Sequence, residues 1–379
     1  MTIGVDIRLL ASKYKSGIEE YLENLLSNMI PLDPKIEYKL FYNSFRKPLP
    51  EYNWLKLSNV TVFDLRIPNN LLFLSGRLFN RPYIDKLLGG VDVFFSPHFF
   101  IAPLSKKCRR VTAIHDLSFS LFPNFFSSRH RFWHKFEMTP ARQARYSDKI
   151  IAVSESTKQD LTRYYDIDPA KVQVIYSGVS EKITRQTDRD LEIFRLSKKL
   201  PERFILFLGK LEPRKNVSAI IRAFNRIKLD KSFHDLHLVI AGARGWLCDE
   251  LDDVARQSPF TNQIIFADQI NDYDRSFYYG LASVFIYPSF FEGFGFPPVE
   301  SMACGTAVIT SNRSSLGEVV SDAGIIIEPN NIMETAFWLK KLLSDQGLRD
   351  RFIKKGYGQA ASFNWSETAK KTLDLIINA

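Results

Sequence analysis

Short runs of β-branched and aromatic residues recur along the first half of the chain: IGVDIRLL, IEYKLFYN, VTVFDL, VDVFFS, RVTAIHD, KIIAVS and VQVIY. Between them lie stretches with apolar residues at helical spacing, such as GIEEYLENLLSNM and STKQDLTRYY. Strand-like runs alternating with helical ones predict a doubly wound parallel sheet. After SGV at 177–179 the chain turns polar and strandless, SEKITRQTDRD, which marks a linker at 183–192. The alternation then restarts with FILFLG, LHLVIAG, IIFADQI, ASVFIYPS and AVITS. Two α/β domains are therefore expected, 1–182 and 193–355, followed by a last segment, 356–379.

The second domain holds the densest chemistry. Residues 290–324 read FFEGFGFPPVESMACGTAVITSNRSSLGEVVSDAG. They predict a loop after a strand, then a helix with Pro at its first positions and Gly after its end, then another strand. In a parallel sheet the loops after the strands' C-terminal ends form the ligand crevice, and a helix start there offers N–H groups and a partial positive charge. Gly293 and Gly295 let backbone approach closely, which suits phosphate. Glu292 and Glu300, the latter in the first turn of the expected helix, can accept hydrogen bonds from the paired hydroxyls of a sugar or ribose. A first-turn carboxylate is also favoured by the helix dipole alone. A dinucleotide loop is the other competing reading, weakened by Pro298 in place of a third Gly and by Ser311-Asn312 where a ribose-binding acid would stand.

The block E-G-F-G-F-P-x-x-E, followed by A-C-G-T-A-V-I-T-S and G-E-V-x-x-D-A-G, resembles the signature of the retaining, nucleotide-sugar-dependent glycosyltransferases of family 4. That resemblance implies the GT-B fold, two Rossmann-like doubly wound domains facing a central cleft, with the final helix crossing back to the first domain. It extends to Ser16-Gly17-Ile18-Glu19-Glu20-Tyr21, similar to S-G-I-G-R-Y, of which only Gly17 carries over as a phosphate contact. In A-I-H-D-L it makes His115 a sugar-orienting hydrogen-bond partner, and in K-L-E-P-R-K-N it makes Lys210, Arg214 and Lys215 the cations of the diphosphate. Arg supplies a fork and Lys a point charge for such a group. The implied site thus has His115 and Glu292 at the sugar. Gly17, Lys210, Arg214, Lys215, Gly293, Phe294, Gly295, Phe296, Val299 and Glu300 hold the rest of the donor, with Glu300 on the ribose and the base around Asp268 to Ile270. Phe363 and Trp365 are expected as core anchors and Asn216 as a helix cap.

Composition narrows the context. The 379 residues are 45% hydrophobic and 25% charged, with three cysteines, Cys108, Cys248 and Cys304, at spacings that match no metal site. No disulfide framework is expected, Cys304 reads as a small core residue, and the compartment expected is the cytoplasm. MTIGVDIRLL shows no signal-like leader, and the longest apolar stretch, VDVFFSPHFFIAPL, is interrupted by Asp92, Pro97, His98 and Pro103. The net charge of +9 is concentrated: residues 104–149 hold ten Lys/Arg against Asp116, Glu137 and Asp148. Interleaved Phe125, Phe126, Phe132, Trp133 and Phe136 make this stretch either an anionic-membrane contact or a solvated basic face with its aromatics in the core. Nucleic acid fits less well, because no nucleic-acid-binding motif accompanies the charge.

D-x-D spacings at Asp166, Asp188 and Asp272 fit capping better than a metal site, so neither metal nor other cofactor is expected. The sub-patterns I-H-D-L, E-P-R-K-N and G-A-R-G-W are similar to those of mannosyltransferases of surface polysaccharide synthesis. They imply GDP-mannose as donor and a glycan or lipid-linked acceptor at the inner membrane face. A UDP-sugar transferase, a UDP-sugar epimerase on the same fold and a non-catalytic glycan- or lipid-binding scaffold are the alternatives.

Overall fold

The computed structural model describes residues 1–11, 17–45, 47–98, 100–133 and 138–379, the side chain of Trp133 excepted. Ser16, Lys135, Phe136, Glu137 and the Trp133 side chain therefore lie outside the described residues. Contacts divide the chain into two compact units. The first comprises Met1–Leu121, Ser128–Gly178 and Asn364–Ala379; the second comprises Phe122–Ser127 and Val179–Phe363.

Unit 1 is built on seven strands: β1 (Thr2–Asp6), β2 (Glu37–Tyr42), β3 (Val60–Asp64), β4 (Val93–Ser96), β5 (Arg109–Ile114), β6 (Lys149–Ala152) and β7 (Val172–Val174). They lie in the order β3-β2-β1-β4-β5-β6-β7, and every pairing is parallel, with Ile3 opposite both Tyr38 and Val93. Each apolar run marked in the sequence is one of these strands. The order reverses direction between β1 and β4, the point where a doubly wound sheet opens a crevice at its carboxyl edge.

Unit 2 repeats the plan with six strands: β8 (Phe204–Leu208), β9 (His237–Ala241), β10 (Ile264–Phe266), β11 (Val284–Tyr287), β12 (Val308–Ser311) and β13 (Ile325–Ile327). Their order is β10-β9-β8-β11-β12-β13, again wholly parallel. All five residues of β8 are buried, as expected of a strand covered on both faces. The helix Val217–Ile227 covers one face with Val217, Ile220, Ile221, Phe224 and Ile227, an apolar stripe at helical spacing.

The units part at Gly178/Val179 and Phe363/Asn364. The expected linker 183–192 is partly helical, because Thr187 caps the helix Asp188–Ser197 by accepting from the Asp190 N–H. The expected boundary at 355 falls inside the helix Gln346–Ala361, whose Gly356 packs against Met302. The helix Trp365–Ile377 belongs to unit 1.

Candidate active site

In unit 2 the strand order reverses between β8 and β11, and the two segments leaving those strands carry the expected residues. After β8 comes Gly209-Lys210-Leu211-Glu212 and a single 3-10 turn, Pro213–Lys215. After β11 comes Pro288 to Glu292. Lys215 Nζ donates to Glu292 Oε1 at 2.5 Å and to the Tyr287 hydroxyl at 2.6 Å. Arg214 donates to Glu292 Oε2 at 2.9 Å, to the Phe291 carbonyl, and through Nε and Nη2 to Glu212 Oε1. Two neighbouring cations and the carboxylates of Glu212 and Glu292 thus form one network.

Burial pushes the Glu292 carboxyl upward, but Arg214 and Lys215 outweigh it and lower its pKa to about 2. Burial lowers Lys215, and the neighbouring Arg214 charge adds to the effect. Tyr287 is raised well above its ordinary value by burial, with Glu292 contributing, so its hydroxyl stays protonated beside Lys215. Glu212 and Tyr287 were not singled out by the sequence. A glutamate two residues before an arginine reads as an ordinary exposed ion pair, and a tyrosine in a strand reads as core.

Glu292 is held from below as well. Its N–H donates to Ser314 Oγ at 2.7 Å, and Ser315 Oγ donates to the carbonyls of Glu292 and Phe294 at 3.0 and 2.9 Å. Gly295 then turns the chain at φ +98°, where a Cβ would lie 2.8 Å from Leu316 Cδ2, so both conformation and space require glycine. The helix Phe296–Ala303 follows directly. Pro297 and Pro298 lack an N–H, so anion-binding donors at this helix start are fewer than a generic one offers.

Glu300 is the fifth residue of that helix rather than a first-turn residue, which corrects the expectation. The helix dipole therefore does not explain its place. Its side chain is 1% exposed and is gripped by the Arg275 guanidinium on Oε1 and the Tyr279 hydroxyl at 2.8 Å on Oε2. Arg275 and Tyr279 come from the helix Arg275–Leu281 and were missed by sequence reasoning. Val299 is fully buried in the same helix. Phe294 is buried edge-on to Phe296 at 5.1 Å and to Phe363 at 5.3 Å. Gly293 lies buried between Glu292 and Phe294.

Lys210 is exposed, and its Nζ sits 4.7 Å from the Trp246 ring centroid. Trp246 donates its indole N–H to the Phe125 carbonyl at 2.7 Å. Phe125 stacks on Phe290 at 5.4 Å, Phe122 meets Phe291 at 5.2 Å and Phe126 meets Trp246 at 5.7 Å. Phe125 and Phe126 of the basic aromatic stretch are thus packing residues of unit 2, whereas Phe132 is 62% exposed. Asn216 is not a side-chain cap: it takes a left-handed conformation, φ +56°, and its amide donates to the Pro329 carbonyl. Near the expected base pocket, the Asp268 carbonyl accepts from Gly242 N–H at 2.6 Å.

In unit 1, Gly17 opens the helix Gly17–Met29 and is exposed. His115 directly follows β5, with Nε2 2.8 Å from the Pro97 carbonyl and its ring edge-on to Tyr21 at 4.8 Å. Tyr21 also meets Trp365 at 5.6 Å. Burial lowers the His115 pKa, so the ring is neutral and Nε2 carries the proton donated to Pro97. The D-x-D aspartates have local partners: Asp168 accepts from Ala170 N–H, Asp190 from the Thr187 hydroxyl, and Asp274 pairs with Lys198 at 2.9 Å. Cys304 is fully buried and its thiol is pushed up to about 12 by burial. No helix of the described residues is long and apolar enough to cross a membrane.

Comparison with known proteins covers both units. Residues 188–359 match the family "Glycosyl transferases group 1", and residues 15–182 match "Glycosyltransferase Family 4". The chain is similar to O-antigen chain mannosyltransferase B of Escherichia coli, 27% identical over 376 residues and 95% of each chain. It is also similar to serotype-specific mannosyltransferase WbdA of Escherichia coli, 28% identical over 245 residues, 64% of this chain and 30% of that one. Among solved structures, sucrose-phosphate synthase from Thermosynechococcus elongatus shares the fold with a TM-score of 0.78 at 17% identity, over 100% of this chain and 98% of that one.

Proposed function

The chain belongs to the GT-B glycosyltransferases of group 1 and family 4, and on that premise we propose that it moves mannose from GDP-mannose, with retention, onto a glycan or lipid-linked acceptor of a surface polysaccharide. The observation that carries this reading is the Arg214–Lys215–Glu292 network at the strand reversal of unit 2. Breaking a sugar–diphosphate bond requires neutralising a departing nucleotide and steadying an oxocarbenium-like sugar where water is excluded. Arg214 and Lys215, with Lys210 beside them, are assigned the diphosphate, together with backbone from Gly293 to Val299. Glu292 is assigned the sugar hydroxyls and Glu300 the ribose. His115 is assigned a sugar hydrogen bond and Gly17 a phosphate contact, as the family resemblance implies.

In the proposed step the C1–O bond to phosphate breaks and the acceptor oxygen bonds C1 on the same face. The acceptor proton passes to the leaving phosphate oxygen, so no separate base is needed. The mannosyl assignment draws on the two mannosyltransferase relatives. No metal is assigned a role.

Thermal melts with a panel of nucleotide sugars test the donor. A donor at a hundredfold excess over its Kd adds about 2.7 kcal/mol of stability, which a melt resolves. GDP-mannose should raise Tm, with or without EDTA, and UDP-glucose should raise it less. A larger shift with UDP-glucose would replace the donor, and loss of the shift in EDTA would overturn the metal-free reading. Release of UDP from a UDP-sugar without acceptor would favour the epimerase.

A further inference from the structure

In unit 1 the helix Asn69–Phe79 is anchored by two residues. Leu72 is buried beside Phe41, Ile84 and Leu88, and Gly76 lies so close to Pro103 that a Cβ there would be 3.2 Å from its Cγ. The outward side is not polar, as a solvated helix face would be. Leu71, Leu74, Leu78 and Phe79 are 61%, 49%, 61% and 71% exposed. At ~100° per residue the three leucines fall within an arc of about 60°. Single exposed leucines are ordinary, but four large apolar side chains on one eleven-residue helix form a surface with an unmet partner.

Charge along this segment is predominantly positive. The helix contains no acid, and Arg77 borders the leucines. Residues 65–90 hold Arg66, Arg77, Arg81 and Lys86 against Asp85 alone. Asp85 is buried, with its two oxygens accepting from Ser105 N–H and Oγ at 2.8 and 2.6 Å. Arg66 pairs with Asp64 at 3.1 Å across an exposed surface. Arg81 and Lys86 flank the Tyr83 ring, 4.3 and 5.6 Å from its centroid. An apolar stripe edged by arginines, with a tyrosine among cations beside it, matches the boundary between acyl chains and anionic headgroups.

We propose that the helix Asn69–Phe79 docks this protein on the surface of an anionic lipid bilayer, its leucines and Phe79 entering the acyl boundary and Arg77, Arg81 and Lys86 facing the headgroups. A second copy of the chain fits less well, because a twofold contact through this face would set the same arginines against one another. The proposal rests on this surface alone and is independent of the donor assigned above.

Co-sedimentation with vesicles tests it, using phosphatidylcholine alone or mixed with phosphatidylglycerol, at low and high salt. Binding is expected to the mixed vesicles and to weaken with salt. Combined Leu71→Ser, Leu74→Ser and Leu78→Ser should lower partitioning about tenfold or more. Arg77→Glu with Arg81→Glu should abolish the preference for phosphatidylglycerol, and Leu229→Ser, at a 76% exposed leucine of unit 2, should change nothing. Unchanged Tm and GDP-mannose stabilisation in the leucine variant separate this question from the donor reading; should that variant unfold, the arginine pair decides. No binding to mixed vesicles at low salt overturns the proposal. So does unaltered binding of the variants, or a wild-type dimer that the leucine variant dissolves.

Discussion

Glu292 and Glu300 stand eight positions apart and are both buried carboxylates held by a guanidinium, yet their surroundings differ in kind. Glu292 lies on a loop and is shared by Arg214 and Lys215, the cations assigned to the diphosphate. An anion that recruits those cations would compete with Glu292 for their charge and hydrogen bonds. Glu300 lies on a helix and is held by Arg275 and Tyr279, neither of which has another assigned task. Under the proposed assignment the first arrangement would change when the donor binds, and the second would present one group in a fixed pose.

The largest effect that would break this contrast is at Lys215. Lys215→Met should lower kcat by about 10²- to 10³-fold, the scale of losing one charge-stabilising donor, with a smaller change in KM. Steady-state kinetics with GDP-mannose checks it, and a change confined to KM would make Lys215 a binding residue only. Next comes Glu300→Ala, which removes charged hydrogen bonds of about 1.5–3 kcal/mol and should raise the donor Kd roughly 10- to 100-fold with kcat largely kept. Calorimetry reads it directly, and an unchanged Kd would take Glu300 out of the donor site. Tyr279→Phe should do the same more weakly, less than about tenfold, because Arg275 still holds the other oxygen.

The smallest effect is in pH. The Glu292 pKa is lowered from 4.5 to about 2, so its ion pairing stabilises the fold fully above its ordinary value and is lost as pH falls toward 2. The Tm difference between wild type and Glu292→Gln should therefore be constant near neutrality and shrink as pH drops below about 4.5. A difference that grows on acidification would place the charge elsewhere.

Strands were legible because they are apolar runs, whether wholly buried like β8 or largely exposed like the edge strand β3, and helices because of their spacing. β13, Ile325–Ile327, was not marked, although β7 and β10 are equally short and were. The site was legible where chain neighbours act together, as in Glu292 with Gly293 and Gly295, or Arg214 with Lys215. That these two groups meet, 77 residues apart, entered only through the family resemblance. Arg275 carried no signal at all: an arginine opening a short helix looks like surface, and only the fold brings it to Glu300. The Trp246–Phe125 bond spans 121 residues, and neither partner belongs to a motif that chemistry alone would single out.

The assignment of Phe122–Ser127 to unit 2 bears on how this protein can be dissected. The chain changes unit after Leu121, Ser127, Gly178 and Phe363, so no single cut separates the two folds. A fragment spanning 179–363 would lack the carbonyl that receives the Trp246 indole and the rings that lie on Phe290 and Phe291, leaving a sticky aromatic scar next to the Pro213–Lys215 turn. Swapping the rear half between relatives to exchange donor preference would carry the same defect unless the six-residue strip travels with it.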